Sequence, residues 1–265
     1  MPQYNTSAIV LRRIHFGETD NILTLFSKEH GKISAIAKGA RKAISKLSGA
    51  TDPLTCSRFA LASGHNLQVV VQAEMVDSFP GLHTSVERLA QGQYFAELMT
   101  AFTEDDAPHP ELYQLMLRAL RLLEKAPDPE SISRWYELNL LDELGYAPDL
   151  LQCAVCAKPV PGSFNPNAMF ALSASQGSSL CPDHSHLQDQ SDHSALSFGA
   201  LTFLQQITDA PQKASAVAAL RPPDRKSEDQ SRAALRRYIR FRIDRELKTV
   251  GFLDGLRFSK KEPQS

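Results

Sequence analysis

The feature that most constrains this chain is a change of hydrophobic period near residue 80. Before it, short runs rich in apolar and β-branched residues recur at Ala8–Ile14, Ile22–Phe26, Lys32–Ala37, Leu54–Leu61 and Leu67–Val76. Turn-forming clusters break them, at Gly17-Glu18-Thr19-Asp20, His30-Gly31, Gly39-Ala40 and Gly64-His65-Asn66. Runs of this length between glycine and polar residues read as strands. Five strands inside about eighty residues fit a small closed or nearly closed barrel. The OB-fold is the commonest five-stranded answer, and an SH3-like barrel suits the spacing almost as well.

After Ser85 the period becomes helical. Leu112, Leu115, Met116, Ala119, Leu122 and Leu123 fall at three- and four-residue steps, as do Ile132, Trp135, Leu138, Leu141 and Leu144. Asp128-Pro129-Glu130 carries start chemistry, and Gly145 with Pro148 carries stop chemistry. Leu196–Ile207 and Asp229–Val250 complete about five expected helices. Ser173–Ser179 and Gln188–Ser194 read as polar loops, and Lys260–Ser265 as a frayed tail. The fold class is therefore α+β and multidomain. The expected partition is a barrel over 1–80, helices over 81–150, an insertion over 151–190, further helices over 191–256 and a flexible tail over 257–265.

The insertion carries the most specific local chemistry. Cys153-Ala-Val-Cys156 is followed by Cys181-Pro-Asp-His184. Two knuckles at this spacing suit tetrahedral Zn²⁺, and four protein ligands leave no open position, so the metal is expected to be structural. Phe164–Leu172 is the expected intervening hairpin. His186 and His193 compete with His184 for the fourth place. A reduced cysteine pair with two bystanders is the plainer alternative. The fourth cysteine, Cys56, lies in an expected strand and reads as a small buried apolar residue.

Net charge is only −1, but its distribution is uneven. Residues 1–82 carry 9 basic and 6 acidic groups, residues 83–150 carry 5 and 13, and residues 221–265 carry 13 and 7. Basic ends around an acidic middle suggest a polyanionic partner. Arg12 and Arg13 close the first strand, while Lys32, Lys38, Arg41, Lys42 and Lys46 crowd the third strand and the loop after it. A basic track beside an OB barrel is how such folds follow a phosphate backbone. Phe16, Phe26 and Phe59 are candidate stacking platforms, although such aromatics more often fill a core. Arg232, Arg236 and Arg240 form a second basic row on the last long helix, beside an apolar stripe of Leu235, Ile239, Ile243 and Leu247. Those arginines either face a polyanion or pair with the acidic middle segment.

Several classes are disfavoured. No GxxxxGK[ST], HExxH or GxSxG occurs, so no ATPase, zinc-protease or serine-hydrolase signature is present. The Cys153–Cys156 pair is preceded by Leu151-Gln152, without the proline of a zinc deaminase's P-C-x-x-C. A non-enzyme is the expected reading. The start of the chain shows no basic flank or long apolar run, and no stretch approaches the ~20 apolar residues of a membrane span. A cytoplasmic protein without a membrane partner is expected.

Ala8-Ile-Val-Leu-Arg-Arg-Ile14, Gly17-Glu-Thr-Asp20, Ile22-Leu-Thr-Leu-Phe26, Glu29-His-Gly-Lys32 and Ala37-Lys-Gly-Ala-Arg41 together resemble the start of the RecO family of recombination mediators. The resemblance continues through Leu140-Leu-Asp-Glu-Leu-Gly-Tyr-Ala-Pro148 and the following CxxC to Phe241-Arg-Ile-Asp-Arg-Glu-Leu-Lys-Thr-Val-Gly-Phe-Leu253. Many members close the zinc element with a second CxxC, where this chain has Cys181-Pro-Asp-His184. The resemblance implies an N-terminal OB-fold and a helical domain with a zinc-finger-like insertion. It also implies binding of single- and double-stranded DNA, annealing of complementary strands, and action with RecR. In such a role the protein helps load RecA onto DNA coated with single-strand DNA-binding protein, in the RecF pathway, in the bacterial cytoplasm at the nucleoid. Two other readings stand beside it: an adaptor whose OB-fold grips protein, and an RNA-binding OB protein.

Overall fold

In a computed structural model of the chain, which describes residues 3–162, 165, 167–186, 192–210 and 214–259, the five apolar runs become five strands. They are β1 (Gln3–Phe16), β2 (Asp20–Ser27), β3 (Gly31–Ala37), β4 (Cys56–Ala62) and β5 (Gln68–Asp77). Next come α1 (Val86–Phe102), α2 (Pro110–Lys125) and α3 (Pro129–Glu143). The insertion supplies β6 (Asp149–Cys153), β7 (Met169–Ser173), β8 (Ser178–Leu180) and β9 (His193–Ser197). Then follow α4 (Phe198–Asp209), α5 (Ala214–Ala219), α6 (Arg225–Ile243) and α7 (Lys248–Ser259). The chain divides into two compact units, Met1–Lys125 with Leu247–Ser265, and Ala126–Glu246. Among the described residues, no helix is long and apolar enough to cross a membrane.

In the first unit the strands close into a barrel in the order β1-β2-β3-β5-β4, with β1 returning to pair with β4. All pairings are antiparallel except β3 with β5, which is parallel. This is the OB architecture. Alternation explains the core: Leu23 and Leu25, Ile33 and Ala35, Phe59 and Leu61 point inward with Ala8, Val10 and Val70. Phe26 and Phe59 are fully buried, which settles them as core rather than platform. Cys56 is buried as expected, its sulfur 3.6 Å from the Tyr113 hydroxyl, and burial pushes its thiol pKa up.

Gly31, at the β2–β3 turn, has φ +66, and a Cβ there would stand 2.0 Å from the Ala107 carbonyl oxygen. Only glycine lets the turn lie this close to the connection between α1 and α2, where Asp106 N–H donates to Lys32 O at 3.0 Å. On α2 every residue of the predicted apolar set is buried.

The second unit begins with α3. Asp128 caps it, accepting from Glu130 N–H, with Pro129 in the first turn, and Gly145 at φ +74 follows its end. The insertion forms a four-stranded sheet in the order β6-β8-β7-β9. Its hairpin lies one element later than expected. Met169–Ser173 and Ser178–Leu180 pair across Gly177, so the polar Ser173–Ser179 segment is the turn with strand residues at both ends. Serine content misleads here because Ser173, Ser178 and Ser179 are buried within the sheet. Of the other expectations, Phe164, Gln188–Ser191 and Lys260–Ser265 lie outside the described residues.

The single helix expected over Asp229–Val250 is two. Asp244 adopts the left-handed conformation, φ 50, and ends α6 with its N–H donating to Arg240 O at 2.9 Å. Aspartate tolerates this region better than most residues. In the first unit the Glu97 carboxylate then accepts from Lys248 N–H and Thr249 N–H, both at 2.9 Å, and so starts α7. Hydrophobic periodicity runs through the break and cannot register it.

Candidate functional site

Two regions bear functional side chains. In the second unit, Cys153, Cys156, Cys181 and His184 converge, with all four ligand atoms within 4.8 Å of one another. The first knuckle is built by Ala157, whose positive φ of 56 turns the chain while its N–H donates to Cys153 O at 2.9 Å. In the second, His184 N–H and Ser185 N–H both donate to Cys181 O, at 2.9 and 2.8 Å. Cys156 Sγ stands 3.9 Å from Cys181 Sγ, while His184 Nδ1 stands 3.6 Å from Cys153 Sγ and 3.2 Å from Cys181 Sγ. Tetrahedral bonds of about 2.0–2.3 Å to nitrogen and sulfur give edges of roughly 3.5–3.8 Å, so the four residues fit one small metal ion.

The electrostatics agree with that fit. Burial pushes the Cys153 thiol up, but N–H groups of Cys181, Cys156 and Val155 outweigh it and lower the pKa to about 6. Cys181 goes the other way, to about 11, through burial and its contact with Cys153. Neighbouring thiols cannot both ionise readily without a cation between them, and a metal ion supplies that charge. Of the competing histidines, His186 is exposed with Nδ1 3.3 Å from Pro182 O, and His193 lies on β9 with Nε2 3.7 Å from Asp192. Neither joins the cluster; His184 does.

In the first unit, the loop after β3 is fastened to the β1–β2 turn. Gly39 N–H donates to the Asp20 carboxylate at 2.8 Å, and Arg41 N–H donates to Thr19 O at 2.9 Å. Asp20 is held below the ordinary carboxylate range by the Gly39 N–H first, then the Thr19 hydroxyl, with smaller help from Lys38 and Lys42. Lys38, Arg41, Lys42 and Lys46 are all exposed on this loop, and Arg12 is exposed on β1. The other two expected cations are engaged elsewhere. Arg13 pairs with Asp52. Lys32 is drawn in, with only 14% of its side chain exposed, and donates to Thr103 O at 2.5 Å beside Asp105 at 3.2 Å. The α1 carboxyl end needs a cation for its free carbonyls, and Lys32 fills that need.

Periodicity does not reveal the outward face of the barrel beside this loop. A register shift between Val10 and Arg12 places one extra residue in β1. Beyond it, Arg12 lies opposite Thr24 and Ile14 opposite Ile22, while Ile22 lies opposite Ile36 on β3. Leu23 and Leu25 point into the core, so Ile22 and its cross-strand partners point out. Phe16, next on this face, is 52% exposed, and Ile14 is 43% exposed. Of the three candidate aromatics, only Phe16 remains available. In the second unit the basic row on α6 is partly neutralised locally, with Arg232 paired to Asp229 at 2.6 Å and Arg240 to Glu246 at 2.8 Å.

Comparisons with known proteins cover both units. The family model described as Recombination protein O N terminal matches residues 1–79, and that described as Recombination protein O C terminal matches residues 83–250. A DNA repair protein RecO of Pelotomaculum thermopropionicum is 36% identical over 254 residues, covering 96% of this chain and 94% of that protein. One of Roseiflexus sp. is 33% identical over 256 residues, covering 96% of this chain and 86% of that protein. One of Heliobacterium modesticaldum is 43% identical over 160 residues, 60% of this chain and 58% of that protein. With a barrel and a helical region matched in turn along nearly its whole length, the chain belongs to the RecO family of DNA repair proteins.

Proposed function

We propose that this protein is a non-enzymatic mediator of recombinational repair that binds single- and double-stranded DNA and anneals complementary strands. The observation that carries the reading is the set of four exposed cations, Lys38, Arg41, Lys42 and Lys46, on a loop fastened to an OB barrel. Arg12 extends the track along β1. Lys32 and Arg13 support it indirectly, because their charges are already committed. Annealing needs no bond-making step: two polyanions repel, and cations that screen both backbones lower the barrier to pairing. In this reading residues 1–80 are the nucleic-acid-binding domain and residues 151–190 a zinc-binding insertion. Three thiols and an imidazole, which fill all four tetrahedral positions with protein ligands, suit structural Zn²⁺. Family membership supports action with RecR in loading RecA on DNA coated with single-strand DNA-binding protein, in the bacterial cytoplasm.

Annealing of complementary oligonucleotides without ATP tests the activity. The triple variant K38E/R41E/K42E is expected to lose most of it and to flatten the slope of log affinity against log salt by about 2, at about 0.7 per phosphate contact. Unchanged affinity and slope in that variant would remove the surface from the proposal.

A further inference from the structure

An OB barrel that only screened phosphates would need cations and little else on its binding face. This one presents an apolar row. Ile14, Ile22 and Ile36 stand side by side across β1, β2 and β3, all pointing out of the barrel. Phe16 continues the face at the end of β1, half-exposed where the other two candidate aromatics are sealed in the core. Ile14 and Phe16 are exposed with Ile22 and Ile36 half-buried beside them, so the four form a contiguous patch rather than scattered single side chains, which marks a contact surface.

Its surroundings decide what covers it. Arg12 precedes Ile14 on the same face, opposite Thr24. Lys38 and Arg41 lie at the far side, where Arg41 N–H reaches Thr19 O in the turn just after Phe16. The acidic groups in this rim are Glu18 and Asp20, and Asp20 is occupied by Gly39 and Thr19. Apolar in the middle and cationic at the rim is the complement of an unstacked single strand, whose bases are flat and apolar-faced and whose backbone is anionic. A protein partner with an equally acidic rim would also fit the charge. The half-exposed phenyl ring at the margin favours a planar occupant, because base–aromatic stacking tolerates every base.

We infer that the Ile14–Ile22–Ile36 row and Phe16 hold the splayed bases of a single strand whose phosphates follow Arg12 and the Lys38–Lys46 loop. This inference rests on the nucleic-acid reading above and specifies which part of the strand meets which residues. It also makes annealing more than charge screening: bases kept off one another are presented for pairing.

The test uses the full-length protein and two fluorescent oligomers of equal length, one of thymidines and one abasic over its central sites. Wild-type protein is expected to bind the thymidine oligomer roughly tenfold more tightly. Phe16→Ala is expected to bring the two near parity while leaving the salt slope unchanged, because the phosphate contacts remain. Ile14→Ser, one row inward, is expected to repeat that outcome. Equal wild-type affinity for both oligomers overturns the inference and leaves the phosphate track standing. Preference retained in both variants, or lost binding of a protein partner with DNA preference intact, overturns it as well. Failure of the wild type to bind either oligomer at low salt overturns the nucleic-acid reading itself, and this inference with it.

Discussion

The barrel of the first unit and the small sheet of the second are both β-structures of short strands, yet they hold together by different means. The barrel closes on itself, and its interior is aliphatic and aromatic: Val10, Leu23, Leu25, Ile33, Phe59, Leu61 and Val70. The insertion sheet has open edges, and three of its buried positions are Ser173, Ser178 and Ser179. Buried hydroxyls contribute little of the apolar transfer free energy that supports the barrel. The Cys153–Cys156–Cys181–His184 cluster lies at the end of β6 and just after β8 in this sheet. A closed strand ring needs only its own core, whereas an open sheet this small needs a cross-link.

Stripping the metal should therefore separate the two regions most sharply. Structural zinc contributes roughly 10–16 kcal/mol of apparent binding free energy at neutral pH, so a strong chelator is expected to unfold the insertion. Hydrogen exchange would show protection lost over β6, β7 and β8 and retained over β1 to β5. Elemental analysis of protein purified without chelator should give one equivalent of metal per chain. Loss of protection in the barrel as well would break the contrast.

A core truncation should do the reverse. Phe59, fully buried among the barrel residues, is expected to cost about 3–5 kcal/mol when replaced by alanine, read as a lower urea midpoint. The variant should keep its full metal content, and metal loss at unchanged denaturation midpoint would show that the insertion, not the barrel, depends on Phe59.

Acid should produce the smallest effect, confined to the barrel loop. The Asp20 carboxyl is depressed, chiefly by the Gly39 N–H. A depressed group contributes above its unfolded pKa and loses that contribution as pH falls through its folded value. The amide resonance of Gly39 should thus titrate below the ordinary carboxylate range, with the loop loosening at acid pH and no global transition. A Gly39 amide that does not shift there would detach the loop from Asp20.

Much of this molecule was legible in its residues. Five β-type runs, the apolar stripe of α2, the Asp128-Pro129 start of α3 and the metal knuckles all rest on local spacing, and the structure has them where spacing puts them. The misses share one character. The split of Asp229–Val250 depends on one left-handed residue and on a distant carboxylate, Glu97. The withdrawal of Lys32 depends on the end of α1, some seventy residues later in the chain. His184 is not among them: the Cys181-Pro-Asp-His184 spacing already points to it, and the structure groups it, rather than His186 or His193, with the three cysteines.

Sequence by itself determined the chemistry present and the period of each segment, because side-chain composition and helix or strand repeat are properties of neighbouring residues. Tertiary structure alone decided which way the side chains beyond the β1 bulge face. Strict alternation from Ala8 and Val10 would have sent Arg12, Ile14 and Phe16 into the core; the bulge before Arg12 adds one residue and turns all three outward. A single unpaired position in a two-residue repeat inverts everything after it, and only the partner strand specifies where that position falls.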